Sequence, residues 1–185
     1  MRRSGIEYER MARLAINVIM DYGICEFPVD MDKLIRKMGI NLIPYSVYGR
    51  DSVEILLKRS KDGFYLPRSD EFEATILYND DLTINTKARI ESTKGHEIKH
   101  ILEGDLDDEE DDLADYFSKY LRCPIPYAIH LKIRNELELI SKFGLSNEQA
   151  GIVIKNINTR KKAFGNKIFD YEAELIEYLK VNEKK

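Results

Sequence analysis

At 185 residues, 43% hydrophobic and 34% charged, the chain can build one ordinary globular core and is too apolar to be a disordered segment. Its net charge of −4 argues against a dedicated nucleic-acid binder. Cys25 and Cys123 are too few and too far apart for a disulfide framework or a C-x-x-C metal site, and read as packed thiols of a reducing cytosol.

The apolar stretch 14–20 is interrupted by Asn17 and ended by Asp21, too short and polar for a signal peptide or membrane span. The expectation is a cytoplasmic protein without membrane contact. Periodicity predicts a first helix over 6–22, with Met11, Leu14, Ala15, Val18 and Ile19 on one face and Gly23 as its stop. Asp30 caps a second helix bearing Leu34, Ile35 and Met38, which Gly39 ends. Strand-like runs follow at 40–43, 53–57, 64–66 and 74–78, separated by turn formers such as Lys61-Asp62-Gly63 and Asn79-Asp80-Asp81. They predict a small, mostly antiparallel sheet.

From Thr86 onward the pattern is helical. One helix ends near Gly104, and another over 108–122 is stopped by Cys123-Pro124-Ile125-Pro126. The remaining helices are expected over 128–143, 146–159 and 168–179, with Ser146 and Gln149 forming a capping box. Helix, short Gly-containing turn and helix also outline a helix-turn-helix. Residues 128–185 carry 11 basic against 8 acidic side chains, too mild an excess to favour direct nucleic-acid contact. The fold class expected is α+β: a helical, zincin-like domain over 1–127 with the small sheet, then a helical C-terminal subdomain over 128–185.

The chemistry concentrates at His96-Glu97-Ile98-Lys99-His100, an H-E-x-x-H string that uses two of the three histidines in the chain. Positions i and i+4 share a helix face, so both imidazoles can address one metal ion, and the adjacent Glu97 can serve as general base. A catalytic zinc takes three protein ligands. Leu106 stands where a metzincin would have its third histidine, which turns the search to the acidic run Asp105, Asp107, Asp108, Glu109, Glu110, Asp111, Asp112 and Asp115. No register of that run supplies the Gly and Glu of a calcium loop. Ala114, Phe117, Ser118 and Leu121 mark the inward face of its helix, and one turn earlier lie Asp111, the first candidate for third ligand, and Glu110, the second. Glu91 or Asp115 could hold the histidine tautomers, and Tyr65, Tyr127 or His130 could stabilise an oxyanion.

Over residues 20–125 the chain resembles the ImmA/IrrE family of metallo-endopeptidases. The resemblance rests on Pro28-Val29-Asp30 leading to Leu34 and Gly39-Ile40, on Ile76-Leu77-Tyr78-Asn79 before the motif helix, and on Arg89 and Thr93 ahead of His96. After the motif, Asp111, Leu113, Ala114, Phe117, Ser118, Leu121 and Pro124 fall in slots that the family fills with Glu-x-x-Ala-x-x-Phe-Ala and a closing Leu-Leu-x-Pro. Lys99 takes a position that is often Gly, on the side of the helix expected to face outward.

The resemblance implies a zinc-dependent peptidase, with Zn2+ on His96, His100 and the acidic slot, and Glu97 as base. It implies a protein substrate, a helix-turn-helix repressor of a mobile element, phage or stress response. The competing reading is a non-proteolytic regulator with a structural metal, contacting a repressor or DNA through its C-terminal helices.

Overall fold

A computed structural model describes residues 4–104 and 111–182. The expected helix start near 108 and the acidic residues Asp105 to Glu110 lie outside the described residues. The fold is α+β, and the chain divides into two units: Asp30–Ser118, and Met1–Val29 together with Lys119–Lys185. The division therefore falls elsewhere than the 127/128 boundary expected from sequence, because the first helix belongs with the C-terminal ones.

In the central unit, helix α2 (Met31–Lys37) is capped by the Asp30 side chain, which accepts from the Lys33 N–H. Strand β1 (Asn41–Pro44) follows, then a 3-10 turn, Tyr45–Val47. Next comes helix α3, Arg50–Arg59, where sequence patterning suggested a strand over 53–57. Val53, Leu56 and Leu57 recur at i, i+3 and i+4 and are half-buried, while Glu54 and Ile55 between them and Lys58 after them face solvent. The apolar run mimics a strand, but its period is helical. An Arg50–Glu54 pair at i, i+4 supports the same choice.

Strands β2 (Gly63–Leu66) and β3 (Thr75–Tyr78) complete a three-stranded sheet in the order β1-β3-β2. β3 is antiparallel to β2, pairing Tyr65 with Ile76, and parallel to β1, pairing Leu42 with Ile76. The sheet is therefore mixed, not mostly antiparallel. The chain leaves β1 through α3 and β2, so β3 re-enters beside β1 in the same direction.

Helix α4 (Lys87–Glu103) packs on β2, β3 and α2. Thr86 caps its start and Gly104, at φ +67°, its end, a left-handed turn that suits glycine. Helix α5 (Asp111–Arg122) follows, and its residues up to Ser118 belong to this unit. The two helices meet at a glycine. A Cβ on Gly95 would lie 2.5 Å from Ser118 Oγ and 3.1 Å from Ser118 Cβ. Glycine costs a helix interior about 1 kcal/mol relative to alanine, so Gly95 yields propensity in exchange for close approach.

The helical unit begins with α1 (Gly5–Asp21), closed by a Ser4–Glu7 capping box and burying Met11, Ala12, Ala15, Ile16, Val18 and Ile19. After α5 come α6 (Ile125–His130), α7 (Glu136–Phe143), α8 (Asn147–Phe164) and α9 (Asp170–Asn182). The single helix expected over 128–143 is thus two. Lys132 breaks it at φ +58°, and Asn135 starts the next by accepting from the Glu138 N–H. The Ser146–Gln149 capping box is present. Glu172, fully buried on α9, accepts from Arg160 of α8 and from the Phe169 N–H.

Gly95→Ala should destabilise the protein by about 1–3 kcal/mol despite its better helix propensity, because the methyl group overpacks the α4–α5 contact. Adding Ser118→Gly should recover part of that loss, as read by denaturant titration of both variants.

Candidate metal centre

α4 carries His96, Glu97 and His100 on three turns of helix that are mostly buried, and one helical turn sets the two imidazoles side by side, centroids 4.9 Å apart and planes tilted by 49°. His96 Nε2 and His100 Nε2 are 3.1 Å apart. Asp111, in the first turn of α5, brings Oδ1 to 3.4 Å from His96 Nε2 and 3.8 Å from His100 Nε2. The three donor atoms all lie within 4.8 Å of one another, so these residues could hold a metal ion. The spacing fits: bonds of about 2.0–2.1 Å to a tetrahedral cation place its ligand atoms about 3.3 Å apart. Two nitrogens and one carboxylate oxygen also suit a borderline divalent ion.

Around this trio the protein orients its donors. His96 Nδ1 is 3.0 Å from Asp115 Oδ1. A proton on Nδ1 donated to Asp115 leaves the Nε2 lone pair directed at the shared point, the arrangement by which a carboxylate fixes a metal-binding histidine. Burial disfavours the protonated imidazole of His96, but the Asp115 hydrogen bond, with the charges of Glu97, Asp115 and Asp111, outweighs it and holds the pKa above its ordinary value. That basicity favours a strong donor.

Glu97 is buried. Burial pushes its carboxyl above the usual range, against the opposing pull of His96, His100 and the main-chain N–H of Tyr65, which donates to it. Tyr65 lies on β2, which among the described residues is an edge strand paired with β3, so the sheet edge supplies this hydrogen bond.

α4 is held from its far side by Lys94. Its buried ammonium donates to Asp32 of α2 and, at 2.9 Å, to Glu91, and it lies over the Tyr78 ring of β3. Arg89 binds Asp62 through two 2.6 Å hydrogen bonds. Asn79 at the end of β3 donates to the Lys61 carbonyl and accepts from the Asp81 N–H, fixing the loop that leads to α4.

Of the residues singled out from sequence, His96, His100 and Asp111 come together, with Glu97 on the same helix and Asp115 on His96. Glu110 lies outside the described residues. Glu91 binds Lys94 instead of a histidine, since the ammonium one turn along α4 is its nearer charge. Tyr65 contributes its main-chain N–H to Glu97, and its ring lies nearly parallel to that of His100, centroids 6.3 Å apart. Tyr127 and His130 belong to the helical unit, where Tyr127 is buried against Phe27 and Phe143.

Lys99, expected to face outward, is fully buried, and its ammonium lies 3.2 Å from Glu103 Oε2. Glu103 at i+4 was the available signal for that pairing. The Gly95–Ser118 contact and the Lys94 anchor had no such signal, because each depends on a partner distant in sequence.

No family model matches the chain, and neither does any curated protein or solved structure that was compared with it.

Replacing His96 or His100 by Ala should abolish stoichiometric binding of a divalent metal, titrated against a chromogenic chelator. Asp115→Ala should leave binding intact but about 10–100-fold weaker, the usual loss when a histidine's orienting carboxylate is removed.

Proposed function

We propose that this protein is a zinc-dependent endopeptidase that hydrolyses a peptide bond in a protein substrate. The observation that carries the reading is Glu97: a buried carboxylate, oriented by the Tyr65 N–H, beside the His96, His100 and Asp111 donors. A purely structural metal site has no use for a base in that position. Structural zinc sites are closed by four protein ligands, whereas two histidines and a carboxylate are a set that catalytic zinc uses with its fourth position left for reactants.

Bound there, zinc would supply Lewis acidity toward the scissile carbonyl and lower the pKa of water. The protein's own groups do the rest. Glu97 takes the proton from the attacking water and passes it to the leaving amine, and general acid–base catalysis of this kind contributes about 10²–10⁴-fold. The Tyr65 N–H holds the Glu97 carboxylate in place as that proton moves. Asp115 keeps His96 in the tautomer that presents Nε2.

The resemblance to the ImmA/IrrE family, through Asn79, Arg89, Asp111, the inward face of α5 and Pro124 beyond its end, supports a helix-turn-helix repressor of a mobile element, phage or stress response as the substrate. A repressor resides where the genome does, so the working place of this enzyme is the cytoplasm. Among the described residues no helix is long and apolar enough to cross a membrane.

Glu97→Gln preserves shape and removes the base. It should retain metal binding while cleavage of any helix-turn-helix repressor that the wild type cuts falls by about 10²–10⁴-fold. Equal cleavage by the variant and the wild type would overturn the peptidase reading in favour of a regulatory module with a structural metal.

A further inference from the structure

The helical unit contains a cleft of about 590 Å³ formed by α6, the segment 131–134 and α8, within the size range of small-molecule sites. Its buried wall is apolar: Ile133 and Ile157 are almost fully covered, with Ile129 and Ile154 beside them. Its outer wall is cationic. Lys132, Arg134 and Lys161 line it with His130, Asn158 and Asn166, and no Asp or Glu does. The Lys132, Arg134 and Lys161 side chains make no ion pair among the described residues, whereas Arg13 and Glu9 of the same unit do. One carboxylate, Glu138, is adjacent and accepts from the Arg134 main-chain N–H at 2.8 Å, so three cations against one anion leave a local positive potential that attracts an anion.

The backbone adds an independent observation. Lys132 sits at φ +58°, a conformation that non-glycine residues seldom adopt and that costs on the order of 1 kcal/mol or more. Glycine would make that turn without strain, but it would remove one of the three charges from the cleft.

We propose that this cleft binds a small organic phosphate monoester, its phosphate between Lys132, Arg134 and Lys161 and its apolar or aromatic body against Ile129, Ile133, Ile154 and Ile157. A phosphate dianion answers the three positive charges better than a single carboxylate, and the Arg134 guanidinium presents a fork that matches two phosphate oxygens. The Asn158 and Asn166 amides offer donors and acceptors to polar edges of the body. The site is independent of the metal centre and of the peptidase reading.

The test is calorimetric titration of the full chain with 1-naphthyl phosphate, adenosine monophosphate, 1-naphthol, inorganic phosphate and a duplex DNA oligonucleotide. At least one of the two monoesters should bind saturably, about tenfold or more tighter than 1-naphthol and inorganic phosphate, because both halves of the cleft are engaged. Arg134→Glu and Lys161→Glu should each weaken that binding about tenfold or more, with circular dichroism unchanged. Lys132→Gly should also weaken it while raising the melting temperature, so that lost affinity is separated from lost fold. Equal weak binding of all small probes, affinity indifferent to the charge reversals, or tighter binding of the duplex through the same residues would each overturn the proposal.

Discussion

The close crossing of α4 and α5 is the constraint on which the candidate centre depends. Ser118 Oγ donates to the Ser92 carbonyl at 2.8 Å, and the absent side chain of Gly95 lets the two backbones approach. From that point the pairings run in opposite directions along the two helices: Ser92 with Ser118, His96 with Asp115, His100 with Asp111. Asp111, Asp115 and Ser118 fall at i, i+4 and i+7, one stripe of α5, and Ser92, His96 and His100 fall at i, i+4 and i+8, one stripe of α4. An antiparallel crossing thus converts two helical periodicities into one cluster of donors. A displacement at Gly95 would be carried up this stripe to the third donor.

α4 is an uncommon core helix, since it buries Lys94, Glu97, Lys99 and His100. Each buried ionisable group is costly unless paired, and the pairings are specific. Lys94 has Asp32 and Glu91, Lys99 has Glu103, and Glu97 has the Tyr65 N–H. Such pairs add little net stability relative to apolar packing, but breaking one leaves an uncompensated charge, typically at about 3–5 kcal/mol. They therefore fix the rotation of α4 more than they strengthen the fold, and that rotation decides where His96 and His100 point. In the helical unit the buried Arg160–Glu172 pair joins α8 to α9 in a comparable way.

Much of this was legible in the sequence, for local reasons. The histidine spacing, the Asp30 and Ser146 caps and Gly104 act within one or two turns of chain, and the structure has the helices they imply. Helical phase alone set Asp111 on the stripe of Ala114 and Phe117, and its Oδ1 lies 3.4 Å from His96. What was not legible depends on tertiary context or on competing patterns. The stretch 53–57 offered β-branched, apolar residues to a strand template, and its helical period emerges only with the burial of Val53, Leu56 and Leu57. The break at Lys132 carries no glycine to announce it. Lys99 looks like a surface residue until the pairing with Glu103 lets it enter the core. The orienting role of Asp115 was one of two options, and only the fold shows that Lys94 occupies Glu91.

The central claim is that α4 and α5 set three donors around a single point. Crystals grown with zinc and measured at the zinc absorption edge address it directly. The account predicts one anomalous peak at about 2.0–2.2 Å from His96 Nε2, His100 Nε2 and an Asp111 oxygen, with Glu97 near the metal but not bound to it. A peak bound by Glu97, or one that leaves Asp111 outside coordination distance, would contradict it.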